Sequence, residues 1–258
     1  MPEDIVRDGL TPGDAVVVTG GAQGLGRGIA LRLAQDGAKV AIWDVKPDGG
    51  EETAALCREA GAADVRFDVV DVGDEASVAA GAEAVIAAWG APYGLVNNAG
   101  IFSRDTVLEI SLEEWDRMLR VNVTGCFICA RALGPAMIEA GRGAIVNFSS
   151  GRALSGAARA VSYGTTKGGV LAFTKGLAME WASHGIRVNA VMPGVAETAM
   201  PLENTNVEEL RSRGSRIPLG RIAQPEDLAA AVSFLLGRDS AYMTGQALGV
   251  NGGALTVP

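Results

Sequence analysis

Tyr163 and Lys167 stand four residues apart in a segment of helical pattern, so both side chains fall on one face of a helix. A free phenol titrates near about 10, too high for a base at neutral pH, and a neighbouring ammonium favours the phenolate. Such a pair can take a proton from an alcohol or return one to a carbonyl oxygen. The spacing is common by chance, and a Tyr and a Lys that merely share a helix face are the ordinary alternative. Ser150 adds weight. It lies 13 residues before Tyr163, just past an apolar run at 144–148 that reads as a strand. At the carboxyl edge of a parallel sheet its hydroxyl can hydrogen-bond the reacting oxygen. Its neighbour Ser149 is the alternative choice.

A second constellation lies near the N-terminus. The strand-like residues 16–19 run directly into Gly20-Gly21-Ala22-Gln23-Gly24-Leu25-Gly26, after which a helical pattern begins. Glycines without Cβ atoms let a backbone approach a pyrophosphate, whose charge suits the unpaired N–H groups of a helix N-terminus. The spacing is G-x-x-x-G-x-G rather than the commoner G-x-G-x-x-G, and a turn that only packs helix on strand is the bland reading. Asp44 ends the next strand-like run, 18 residues beyond Gly26. Its carboxylate can accept from adenosine ribose hydroxyls and would repel a 2′-phosphate. With Gln23 rather than a basic residue in the turn, the charge logic favours NAD over NADP, and Lys46 is the nearby cation that softens it.

The elements that must hold these residues alternate in type. Strands are expected at 15–19, 39–43, 65–67, 94–97, 144–148, 187–191 and 247–250, and helices at 24–35, 51–60, 74–89, 112–140, 163–183 and 225–236. Helices long enough to cross back over a sheet imply an α/β fold: one doubly wound parallel sheet of about seven strands with helices on both faces. No boundary or repeat divides the 258 residues, so residues 1–258 are expected to form a single dinucleotide-binding and catalytic domain. Residues 193–218 are rich in Pro, Gly and Asn and too long for an ordinary connection, the signature of a lid.

Composition narrows the partners. A net charge of −8 disfavours nucleic acid and anionic membrane and favours a small-molecule partner. The N-terminus has neither the basic start nor the apolar run of a signal peptide, so a cytoplasmic location is expected, and no membrane span is proposed. Cys57, Cys126 and Cys129 are an odd number in a large chain, so reduced thiols are expected. The C-x-x-C formed by Cys126 and Cys129 reads as core helix packing, with no second ligand pair and His184 as the sole histidine; no metal is expected.

Taken together, these residues resemble the short-chain dehydrogenase/reductase family, over the stretch from Thr19 to Gly253. Thr19-Gly20-x-x-x-Gly24-x-Gly26 is similar to its cofactor turn, Asn97-Asn98-Ala99-Gly100 to its fourth-strand motif, and Ser150, Tyr163 and Lys167 to its catalytic core. The resemblance implies a Rossmann-type fold and a nicotinamide-dependent oxidoreductase in which Lys167 also binds the nicotinamide ribose. It implies that Asn122 holds a water in a proton relay to the Lys; otherwise Asn122 is a helix-interior Asn at a kink. Asp68-Val69 resembles the pair that contacts adenine, and Asn98 the residue beside the adenosine ribose. Their plain alternatives are a solvated strand end and turn formers. Ala196 and Thr198 match the segment that clamps the carboxamide, unless Pro193-Gly194 is only a turn. Asn251 stands where Asp is more usual. A homotetramer is also implied, pairing the helices at 112–140 and 163–183.

The expected reaction passes a hydride between a polar secondary alcohol (sugar, polyol or hydroxy acid) and the nicotinamide ring, with Tyr163 as acid and base. A 3-oxoacyl thioester reductase is the runner-up, weakened because such reductases usually take NADPH, which Asp44 resists. A non-enzymatic dinucleotide sensor explains the glycines but not Ser150, Asn122, Tyr163 and Lys167 together, and a methyltransferase fails likewise. Specificity is expected from Phe102 and Ser103, from 152–159 and from the lid; Arg152 is a candidate for binding a hydroxyl-rich or anionic group, or simply a solvated surface Arg.

Overall fold

The computed structural model describes residues 10–196, 212 and 214–256. Seven strands, β1 (Ala15–Thr19), β2 (Lys39–Asp44), β3 (Asp64–Val69), β4 (Gly94–Asn97), β5 (Gly143–Phe148), β6 (Ile186–Pro193) and β7 (Ala247–Val250), make one sheet. Their spatial order is β3-β2-β1-β4-β5-β6-β7, and every pairing is parallel. The helices are α1 (Gly24–Gln35), α2 (Pro47–Glu59), α3 (Glu75–Trp89), α4 (Leu112–Leu119), α5 (Gly125–Glu139), α6 (Arg152–Ser155), α7 (Val161–Trp181) and α8 (Pro225–Leu236). This is the doubly wound, Rossmann-type arrangement that the alternating pattern implies.

Period-two alternation in the strands builds a core on each face of the sheet. Val16, Val18, Val40 and Ile42 pack with Ile29 and Leu33 of α1 and with Leu228 and Val232 of α8. Val17, Ala41 and Trp43 face the other way, against Val85 of α3, Leu133 of α5 and Trp181 of α7. Each such fully buried aliphatic side chain contributes about 1.5–3 kcal/mol. By length and hydropathy the run Leu112–Glu139 could also cross a membrane. Its apolarity instead supplies Ile128, Leu133 and Met137 to the second core. The three cysteines are free and buried, and burial pushes the Cys57 and Cys126 thiols up to about 11 and Cys129 further, which keeps them protonated at neutral pH.

Several boundaries differ from the pattern for local reasons. α2 starts at Pro47, four residues before the expected start at 51, because proline is suited to a first turn. The expected continuous helix at 112–140 is interrupted by a π-turn at Arg120–Thr124, which apolar spacing does not reveal. β3 extends two residues past the expected end at 67, to Val69.

Candidate active site

The chain steps outward from β1 to β2 and β3, then returns to lay β4 on the other side of β1, which opens a crevice at the carboxyl ends of β1 and β4. A cleft of about 660 Å³ lies there. The two strand ends are laced together. The Thr19 hydroxyl donates to Val96 O (3.3 Å) and accepts from the N–H groups of Asn98 (3.1 Å) and Ala99 (3.0 Å). The Asn98 amide donates to Thr19 O (2.9 Å) and Gly20 O (3.1 Å), so its nitrogen holds the glycine turn in place.

That turn tolerates no side chain at Gly26, where a Cβ would meet Gly20 O at 2.0 Å and the Asn98 amide at 2.7 Å. Gly20 has φ +65°, in the left-handed region that favours glycine. Gly20, Gln23, Gly24, Leu25 and Gly26 all line the cleft. The twelve-residue α1 begins there with Gln23 in extended conformation and no side chain capping its first N–H groups. An uncapped helix start facing a cleft across close-packed glycines fits the pyrophosphate of a dinucleotide. Asp44 also lines the cleft; its carboxylate accepts from the backbone N–H groups of Ala22 and Lys46, both at 3.0 Å, while Lys46 Nζ donates to Gln23 Oε1 (3.2 Å). The fit to a dinucleotide therefore extends from the glycine turn to the Asp44 carboxylate.

Asp68 and Val69 fall elsewhere. They sit inside edge strand β3; Asp68 receives two bonds from Arg66, 2.7 and 2.6 Å, and Val69 is 60% exposed. The cleft is lined instead by Val70, Asp71 and Val72, just past the strand end. The reason is positional: ligands approach beyond the carboxyl ends of strands, and the two Asp-Val pairs of this segment are three residues apart. A sequence signal was available, since Asp74 caps α3 by accepting from Ala76 N–H (2.9 Å) and Ser77 N–H (3.4 Å), leaving Asp71-Val72 as the loop before it.

On the far side of the cleft, β5 delivers Ser149 and Ser150 and the first turns of α7 deliver Tyr163 and Lys167. The serines separate by role. Ser149 Oγ donates to Lys167 O (2.8 Å), tying strand end to helix, whereas Ser150 accepts from Arg152 N–H (3.2 Å) and favours ionisation of the neighbouring Tyr163 phenol. The buried Lys167 donates to Phe148 O (2.7 Å) and lies 5.7 Å from the centre of the Tyr163 ring. Burial pulls the Lys167 ammonium down to about 8. Burial also raises the Tyr163 phenol, opposed by the Ser150 hydrogen bond and by the charge of Arg152. The charge of Arg152 thus favours the phenolate. Phe102, edge-on to Tyr163 with ring centres 4.9 Å apart, walls the phenol on the apolar side.

Asn122 stands one layer behind the cleft, in the π-turn that rotates it inward. Its amide accepts from Ile101 N–H (2.8 Å) and donates to Ile101 O (2.9 Å) and Thr166 Oγ1 (3.1 Å). A Cβ on Gly100 would lie 3.3 Å from Asn122 Oδ1 and 3.4 Å from Lys167 Nζ, so both groups lie close to that glycine. Ala196 lines the cleft and bridges Ala223; Thr198 and most of the expected lid lie outside the described residues. Phe102, Arg104, Arg117 and Val121, from the chain following β4, are further lining residues, of which only Phe102 was expected.

A family model described as enoyl-(acyl carrier protein) reductase matches residues 20–255. A 2-(S)-hydroxypropyl-CoM dehydrogenase of Xanthobacter autotrophicus is 37% identical over 95% of this chain and 97% of its own length. The chain belongs to the short-chain dehydrogenase/reductase family. This dehydrogenase/reductase is also 39% identical to a D-threitol dehydrogenase of Mycolicibacterium smegmatis, over 93% of this chain and 92% of that one. A 3-oxoacyl-[acyl-carrier-protein] reductase of Chlamydia muridarum is 37% identical over 93% and 96%. A crystal structure from Beutenbergia cavernae, provisionally assigned as an NAD(P)-dependent gluconate 5-dehydrogenase and holding NADP at low occupancy, superposes with a TM-score of 0.88 at 36% identity, covering 96% of this chain and 98% of that one. As a member of the family, the dehydrogenase/reductase is an enzyme that acts on CH–OH groups with a nicotinamide dinucleotide.

Proposed function

We propose that this enzyme is an NAD-dependent dehydrogenase of a polar secondary alcohol, with Tyr163 as the proton-transferring residue. One observation carries the reading: Tyr163, beside Ser150 and backed by Lys167, shares one continuous cleft with the uncapped start of α1 and Asp44. The nicotinamide ring supplies the carbon that receives the carbinol hydride. Ser150 and Tyr163 hold the substrate oxygen, and Tyr163 takes its proton in oxidation or returns it in reduction. Lys167 holds the nicotinamide ribose. Asn122 ties the Ile101 loop to α7 and holds the water that continues the proton path from Lys167. Asp44 accepts from the adenosine ribose, Asp71 from the adenine amino group, and Asn98 fixes the turn between them. Ala196 and Thr198 hold the carboxamide.

A second reading, 3-oxoacyl thioester reduction, is supported by the 37% identity to the chlamydial reductase. Absorbance of reduced nicotinamide, followed with NAD and NADP across polyols, hydroxy acids and a 3-oxoacyl thioester, separates the two. NAD-linked alcohol oxidation is expected; NADPH-linked thioester reduction as the dominant rate replaces the first reading with the second, and tight NAD binding without turnover favours a sensor. A cytoplasmic homotetramer completes the proposal, supported by exposed Leu112, Phe127 and Met179 on α4, α5 and α7. Sedimentation as a stable active monomer contradicts it.

A further inference from the structure

The carboxylates that line the cleft are confined to one end. Asp44 at the end of β2 and Asp71 just past β3 lie, with Lys46, at the end expected to take adenosine. Around Tyr163 the charged lining groups are Arg104, Arg152 and the buried Lys167. Arg117 lines the cleft as well, but its guanidinium is engaged by Glu114 at 2.7 and 3.0 Å. Arg104 and Arg152, by contrast, have no ion-pair partner among the described residues. Both are solvent-exposed on the cleft wall.

Each arginine is tied to a neighbour of the proton-transferring phenol. Arg152 lies two residues after Ser150, with its N–H on Ser150 Oγ, and its charge reaches Tyr163. Arg104 lies 5.9 Å from the centre of the Phe102 ring, which is itself edge-on to Tyr163. The segment bearing Arg104 is clasped from outside: Arg159 Nε donates to Arg104 O (2.9 Å), and Arg159 pairs with Glu109 at 3.3 Å. Arg159 has φ +55°, the left-handed region that a non-glycine residue occupies only at a cost. The fold therefore spends strain on joining the two segments that carry the arginines.

We propose that Arg104 and Arg152 bind a carboxylate of the substrate, so that the alcohol oxidised is a hydroxy acid rather than a neutral sugar or polyol. Two guanidinium groups on the cleft wall beside Phe102 and Ser150, neither paired with a carboxylate among the described residues, favour a planar anion that each can meet with paired N–H donors. The inference rests on the dehydrogenase reading of the same cleft.

The test uses pyruvate, 3-oxobutanoate, 4-oxopentanoate and 5-oxohexanoate, each beside its methyl ester. Two readouts are taken on the full-length protein: the Kd of each compound for the non-reacting protein–NAD complex by calorimetry, and kcat/KM from NADH oxidation. At least one acid is expected to exceed its ester by about tenfold or more in both. In R104Q and R152Q the acid-to-ester ratio is expected to collapse toward one, whatever happens to the absolute rates. Acids that bind no better than their esters, or a preference that survives both substitutions, overturns the proposal. The binding readout needs no chemistry, so failure of the anion site is distinguished from failure of the dehydrogenase reading, which shows as no turnover of any compound.

Discussion

Replacing Asp44 with Asn removes one negative charge and keeps the side-chain shape, which isolates the electrostatic part of cofactor choice. The carboxylate is held in place by the N–H groups of Ala22 and Lys46 and lines the cleft where the adenosine ribose is expected. A 2′-phosphate about 4 Å from a carboxylate is disfavoured by roughly 4 kcal/mol per unit charge at an effective dielectric of about 20. The site opens to solvent, salt screens over about 8 Å, and Lys46 offsets part of the field, which leaves roughly 1–2 kcal/mol, or about 5- to 30-fold. The assay is kcat/KM for NAD and for NADP with one alcohol at fixed ionic strength. Wild-type enzyme should prefer NAD. D44N should move the ratio toward NADP by that 5- to 30-fold, and more at low salt; K46A should move it the other way. A wild-type preference for NADP, or a ratio indifferent to D44N, refutes the charge argument.

The shift from Asp68 to Asp71 gives a paired test: D71A is expected to raise the KM for NAD several-fold, whereas D68A breaks the part-exposed pair with Arg66, costs roughly 1 kcal/mol of stability and leaves the KM in place. Equal effects on KM count against the assignment. The pH dependence follows from the raised phenol of Tyr163. Oxidation needs the phenolate, the minority form below the phenol's pKa, so its kcat/KM should climb with pH from 6 to 9; reduction uses the protonated phenol and should stay level over that range. An oxidation rate that falls over the same interval contradicts the role. G26A should abolish NADH binding in a fluorescence titration, because its Cβ would sit 2.0 Å from Gly20 O; retained binding means the turn does not work as described.

What the sequence made legible was local. The glycine turn is written into consecutive residues, and each strand that ends in the cleft is a short β-branched run, so Gly20 to Gly26, Asp44 and Ser150 could be placed on strand ends without coordinates. Residues whose placement depends on register were harder. Asp68-Val69 and Asp71-Val72 are alike in composition, and the point where β3 ends decides between them. The inward turn of Asn122 comes from a π-turn that no apolar period marks. Arg104 arrives from the chain following β4, a segment that Arg159 holds through Arg104 O. The choice of Ser150 over Ser149 was likewise a matter of direction, since adjacent residues at a strand end face opposite ways.

Tyr163 is the centre of the account, and Tyr163→Phe is the direct test because it removes one oxygen and keeps the ring against Phe102. Single-turnover reduction by enzyme preloaded with NADH, with the NADH Kd measured on the same sample, separates chemistry from binding. The expected result is a loss of about 10²-fold or more in the hydride-transfer rate with NADH binding retained. A variant that binds NADH and transfers hydride at close to the wild-type rate contradicts the assignment of Tyr163 as proton carrier.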